Sequence, residues 1–204
     1  MILKSFEIEK IKIKDKKFFL FYGENQGHKN QIIKDKFESE FKDSTYLYEE
    51  AEILKNKNDF FNSILSKSFF ENEKLIIISR ATDKIKDILD ELIEKEVEDL
   101  VVVLNANVLE KKSKIRSLFE KSKDAFCIPF YEDNNQTLSG MVNNYFRNKK
   151  IPISQQAINL IVSRARGDRQ NIKNELEKID SFILNKKTLA THDLLKLTNL
   201  AENY

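Results

Sequence analysis

The chain has 204 residues, 41% apolar and 33% charged, enough to bury a sizeable core in a well-solvated protein of one larger domain or of one domain with a small companion. Thirty-five basic against thirty-three acidic residues leave a formal charge of +2, which excludes a global field that would make nucleic acid or an anionic membrane the main partner. The single cysteine, Cys127, lies in the apolar run AFCIPF and reads as a buried structural thiol in a reducing cytoplasm; His28 and His192 have no His or Cys at ligand spacing, so no zinc site is expected.

From the N-terminus, MILKSFEIEKIKIKDKK alternates apolar and charged residues and contains no apolar stretch of signal-peptide length. No run anywhere approaches ~18 apolar residues, so neither export nor membrane insertion is expected. Phe18 to Tyr22 then reads as a buried strand, and Gly27 to Phe41 as a helix whose stripe is Ile32, Ile33, Lys36, Phe37 and Phe41. Thr45 to Tyr48 predicts a short strand and Asp59 to Lys67 a helix carrying Phe60, Phe61, Ile64 and Leu65. KLIIIS (Lys74 to Ser79) and LVVVL (Leu100 to Leu104) are apolar on both faces, and AFCIPF (Ala125 to Phe130) closes the strand series; helices between them are marked by Ile85, Ile88, Leu89, Leu92 and Ile93 and by Ile115, Leu118 and Phe119. Five strands separated by helices imply an α/β fold, a parallel sheet covered on both faces.

After Phe130 the pattern changes. YEDNNQT is a polar connector, and beyond it only helical spacing occurs, which divides the chain into an α/β domain over 1–134 and a small all-α domain over 135–204. Leu138, Met141, Val142, Tyr145 and Phe146 form one stripe; Ala157, Ile158, Ile161 and Val162 form the next, opened by Ser154 as N-cap. Gly167 and Asp168 precede a third helix with Ile172, Leu176 and Ile179, and Thr191 is placed to cap a short last one.

The turn after the first strand, FYGENQGHKNQ, has the surroundings of a P-loop. On the template G-x-x-x-x-G-K-[ST], Gly23 and Lys29 fit, but His28 stands where the second glycine lets backbone approach phosphate, and Asn30 where a hydroxyl holds Mg²⁺. Triphosphate hydrolysis also needs an acid at the tip of a central strand. KLIIISRATD offers Ser79 and Arg80 there, and Asp83 comes too late; Asn105, ending LVVVLN, is placed to sense a γ-phosphate or to serve turn chemistry. The fold reads as an AAA+-like, P-loop one with a degenerate site, for which no catalytic residue, metal or cofactor is expected. An ATP-hydrolysing AAA+ motor subunit is the alternative.

Two further stretches carry surface chemistry. In GDRQNIKNELEKID and just before it, Arg164, Arg166, Arg169 and Lys173 form either a solvated basic face with Glu175 and Glu177 as helical partners, or a face that grazes DNA phosphates weakly. In SKSFFENEK, Phe69 and Phe70 are adjacent on a connection bounded by polar residues, and either pack beneath the sheet edge or stand out as aromatic anchors.

FYGENQ, SKSFFENEKLIII, VVVLNANVLEKKSKIRSLFEK, GDRQNIKNELEKI and the closing NLAENY, in this order and spacing, together resemble the delta subunit of the bacterial DNA polymerase III clamp loader. The resemblance implies an AAA+-like module, a helical lid and a C-terminal collar that joins the loader subunits and is expected beyond Tyr204. It implies a subunit that binds and opens the sliding clamp, the beta subunit of the polymerase, while other subunits hydrolyse ATP. It also implies that Ser68, Phe69 and Phe70, following Leu65, form the clamp-binding tip, with DNA contact weak or indirect.

Overall fold

The computed structural model describes residues 1–65, 73–95, 97 and 99–183. It divides into two compact units, the first Met1–Tyr131 and the second beginning at Glu132.

The first unit is built on five parallel strands: β1 (Phe18–Tyr22), β2 (Thr45–Glu49), β3 (Lys74–Ala81), β4 (Leu100–Ala106) and β5 (Ala125–Pro129), in the spatial order β2-β3-β4-β1-β5. β1 lies between β4 and β5, with Leu20 opposite both Leu104 and Cys127. Because side chains alternate across a strand, the two-sided apolar runs supply two separate cores. Leu20, Ile76, Ile78, Val102 and Leu104 face α3 (Glu50–Lys55), α4 (Lys57–Leu65), α5 (Lys86–Glu94) and α6 (Lys114–Lys121), meeting Ile53, Phe60, Ile64, Leu89 and Phe119. On the opposite face Phe19, Phe21, Ile77, Val103 and Phe130 meet Ile32, Ile33, Phe37 and Phe41.

Those last four residues lie on a segment that begins as α1 (Gln26–Ile32), widens to π-helical winding over Ile33–Glu38 and ends in the single turn α2 (Ser39–Phe41). Ile33, Phe37 and Phe41 recur every fourth residue and share one buried face. The rings of Phe19 and Phe37 meet edge to face at 4.9 Å.

The N-terminal segment, which carries no predicted element, belongs to this second core. Two short 3₁₀ turns, Ser5–Lys10 and Ile13–Asp15, bury Leu3, Ile8 and Ile13, and Ile2 forms a parallel bridge with Cys127. Its apolar and charged residues alternate as those of a strand would, yet it turns through 3₁₀ segments that lay the apolar side chains on the sheet. α3 was likewise not predicted: Glu49 and Glu52 close a capping box at its start, and buried Glu50 accepts from the backbone N–H and hydroxyl of Thr82 at 2.9 and 2.8 Å, tying it to the end of β3.

The second unit packs α7 (Asn135–Asn148), α8 (Gln155–Ala165) and α9 (Arg169–Ile183) around Leu138, Val142, Phe146, Ile158, Ile161, Ile172 and Ile179. Ser154 caps α8 by accepting from the Ala157 N–H. Arg166 and Gly167 take positive φ between α8 and α9, and Asp168 accepts from the Gln170 N–H at 2.7 Å. The last helix expected after Thr191, and His192, lie outside the described residues. Among the described residues no helix is long and apolar enough to cross a membrane.

Candidate functional site

The carboxyl ends of β1 to β4 open into a cleft of about 660 Å³, where a doubly wound sheet ordinarily receives its ligand. It is lined by Glu24, Gln26 and Asn30 from the turn after β1, Glu49 from β2, Ser79 and Arg80 from β3, and Asn105, Asn107 and Val108 at the end of β4.

Gly23 makes the turn possible. Its φ is +120°, and a Cβ there would stand 2.3 Å from the Phe130 carbonyl oxygen. The turn is closed by its own groups. The Gly23 N–H donates to the Asn107 carbonyl at 3.2 Å and the Asn25 N–H to the Phe130 carbonyl at 3.2 Å. Asn25 caps α1, its Oδ1 accepting from the His28 N–H at 2.9 Å while its amide nitrogen donates to the Tyr131 carbonyl. An amide at the helix start that would otherwise be aimed at a phosphate is thus already satisfied.

His28 and Lys29 complete the closure. The half-buried imidazole of His28 stands edge-on to the Phe130 ring at 5.0 Å, filling space that a glycine would leave open. Lys29 is fully buried, and its Nζ donates to the carbonyls of Gly23 at 2.9 Å and Ala106 at 2.5 Å. Burial pushes the Lys29 pKa down to about 8. The lysine that reaches phosphate in a working loop is here a strut beneath the turn, linking the ends of β1 and β4.

Asn30, in the hydroxyl position, is exposed, and its Oδ1 accepts from Gln26 Nε2 at 2.9 Å and from Asn105 Nδ2 at 3.3 Å. Asn105 is therefore not turn chemistry: it lies within β4, is only 7% exposed, and its own Oδ1 has no hydrogen-bond partner among the described residues. At the tip of β3 a bulge between Ser79 and Ala81 puts Arg80 at φ +57°, with its exposed side chain 3.5 Å from Glu49. Asp83 does not reach the cleft: it accepts from Ser113 Oγ at 2.6 Å and the Ile115 N–H at 3.1 Å, fastening the start of α6. Among the described residues no group of His, Cys, Asp and Glu is disposed to hold a metal ion.

In the second unit the four basic residues differ in exposure and partners. Arg169 forks onto buried Asp133 at 2.8 and 2.6 Å with only 10% of its side chain exposed, so it joins α9 to the segment before α7 rather than facing outward. Arg166 is exposed, Arg164 and Lys173 are half-buried, and Glu175 pairs with Lys178. In the first unit Leu65 closes α4, and Ser68, Phe69 and Phe70 lie outside the described residues.

Sequence reading missed Asn25, Phe130 and Glu49 as parts of this site. Asn25 was legible as an N-cap before α1; the other two come from distant strands and meet the turn only through the sheet order.

The parallel sheet, the glycine turn running into a helix and the cleft at the carboxyl edge define the AAA+-like P-loop class, here with an altered phosphate turn. The family model for the DNA polymerase III delta subunit matches residues 19–130, more than half of the chain, which therefore belongs to that family. Among solved structures, the Bacillus subtilis DNA clamp loader delta protein (YqeN) is similar over 95% of this chain and 62% of its own, with a TM-score of 0.61 and 18% identity. The Thermotoga maritima RuvB Holliday junction branch migration motor matches over 91% of this chain and 61% of its own, with a TM-score of 0.52 and 13% identity. At these identities the likeness is one of fold, and the chain spans less than two thirds of either protein's length. No curated protein matches the chain in sequence.

Proposed function

We propose that this chain is a clamp-loader subunit that binds and opens the sliding clamp of the replicative polymerase and does not itself hydrolyse ATP. Family membership supports the loader role. The observation that carries the nucleotide-independent part is Lys29, whose ammonium is buried on the Gly23 and Ala106 carbonyls. Turning it outward toward a phosphate leaves two carbonyls unpaired, each at about 1–3 kcal/mol, while His28 still crowds the approach.

The clamp contact is assigned to Ser68, Phe69 and Phe70, which follow α4, on the strength of the resemblance in their order and type. Two adjacent phenylalanines suit an apolar pocket on the clamp, and a wedge that binds the open ring better than the closed one shifts the ring toward open. On the same resemblance, other loader subunits are its partners through a collar. Arg166, with Arg164 and Lys173, is the remaining set for weak DNA contact, Arg169 being held by Asp133.

Calorimetric titration with Mg-ATP tests the nucleotide part. The expected result is no heat of specific binding up to about millimolar nucleotide; micromolar binding with turnover lost in Lys29→Ala favours the motor-subunit reading instead.

A further inference from the structure

The chemistry of the cleft runs opposite to that of a phosphate site. Of the charged residues lining it, Glu24 and Glu49 are acids, and the one cation among the described residues, Arg80, already faces Glu49 at 3.5 Å. The Lys29 ammonium lies beneath the turn on two carbonyls, and Asn25 occupies the start of α1. Among the described residues, the one buried side-chain atom of the cleft left without a partner is an acceptor. Gln26 donates to Asn30 Oδ1, Asn105 Nδ2 donates to the same oxygen, and the sequence of bonds ends on Asn105 Oδ1, which is buried in a residue more than nine-tenths covered and has no donor among the described residues. A buried amide oxygen without a donor is uncommon and unfavourable, and here it belongs to a side chain lining an open cleft rimmed by two carboxylates.

We propose that this cleft receives the guanidinium of an arginine on a partner protein. A guanidinium offers five N–H donors in a planar fork and no acceptor, so it can serve Asn105 Oδ1 and the rim carboxylates of Glu24 or Glu49 at once; an ammonium presents a point charge, and a phosphate presents only acceptors. Entry is past Asn30, whose exposed amide turns aside without disturbing the sheet. Glu49 keeps capacity for a further donor beside its capping role, since a carboxylate accepts at about four lone-pair sites. The inference rests on the reading that the cleft takes no nucleotide.

The test is a titration of the ¹⁵N-labelled full chain with N-acetyl-arginine methylamide, read at the side-chain amides of Asn105 and Asn30 and the backbone of Asn107. Saturable shifts are expected there, with the uncharged ureido analogue, N-acetyl-citrulline methylamide, at least about ten-fold weaker. Glu24→Gln with Glu49→Gln, both at the surface, is expected to weaken arginine binding about three- to ten-fold, as two exposed ion pairs allow. Asn105→Leu removes the Asn105 response and abolishes binding. An absent or non-saturable shift, an equal response to the citrulline analogue, or full affinity in the double glutamine variant overturns the proposal. Mg-ATP is titrated separately: shifts of the same resonances overturn the nucleotide-free reading and this inference together, whereas silence to both probes overturns the inference alone.

Discussion

Gly23 and Lys29, the two positions at which the turn still matches a phosphate loop, have structural work that needs no phosphate. Gly23→Ala combines a disfavoured φ with a 2.3 Å approach to the Phe130 carbonyl and is expected to lose about 3 kcal/mol or more. Gly140 in α7 is the control: an added Cβ meets nothing within 4 Å, so Gly140→Ala should gain about 0.5–1 kcal/mol. Urea midpoints at constant slope read both. Lys29 gives a pH dependence of defined sign. Its folded pKa of about 8 lies below the ordinary 10.5, so in that window the unfolded chain holds more protons, and stability rises with pH and is lost again as pH falls through about 8. Burial pushes the Cys127 thiol and the Tyr22 hydroxyl up to about 12, so both act in the opposite sense above their ordinary values of 9.0 and 10.0. The Lys29 contribution is therefore read between about pH 7.5 and 9, where the native chain should gain stability and Lys29→Met should stay flat. Equal slopes would mean that the ammonium sits in water.

At the level of elements, the strands were legible and the connections less so. Runs such as KLIIIS and LVVVL are apolar on both faces because each strand is covered on both. The π-helical segment Ile33–Glu38 was read as ordinary helix because a spacing of four satisfies either winding over three residues. Leu3, Ile8 and Ile13 were missed because a core can be covered by short 3₁₀ turns that the alternation of apolar and charged residues does not reveal. The basic cluster shows the other limit: Arg169 looked like its neighbours in sequence, and only the fold brings Asp133 to it. Breaking that buried pair by Arg169→Ala removes both hydrogen bonds of the fork and should cost about 1.5–3 kcal/mol in the unit beginning at Glu132, whereas Arg166→Ala should stay within about 0.5 kcal/mol. Hydrogen exchange of α7 and α9 amides distinguishes them, and equal protection in both variants contradicts the assignment.

For the molecule as a whole, the sheet order brings the ends of four strands to one cleft, and the sequence could say which residues were wrong for phosphate there but not what took phosphate's place. Lys29 as a strut and Asn105 as a buried acceptor depend on contacts between segments far apart in the chain, whereas the Asn25 cap is local. The proposed role in turn depends on the clamp contact assigned to Phe69 and Phe70. The most direct measurement is a clamp-binding isotherm beside a melting curve for the native chain and Phe69→Ala/Phe70→Ala. Anchors of this kind cost ~2 kcal/mol or more on truncation, so the double variant should bind the sliding clamp about two to four orders of magnitude more weakly, at ~1.4 kcal/mol per decade, while melting close to the native temperature. Two phenylalanines in a core would instead cost about 3–5 kcal/mol each, most of a domain's stability. A collapsed melting temperature, or unchanged clamp affinity in a well-folded variant, would contradict the account.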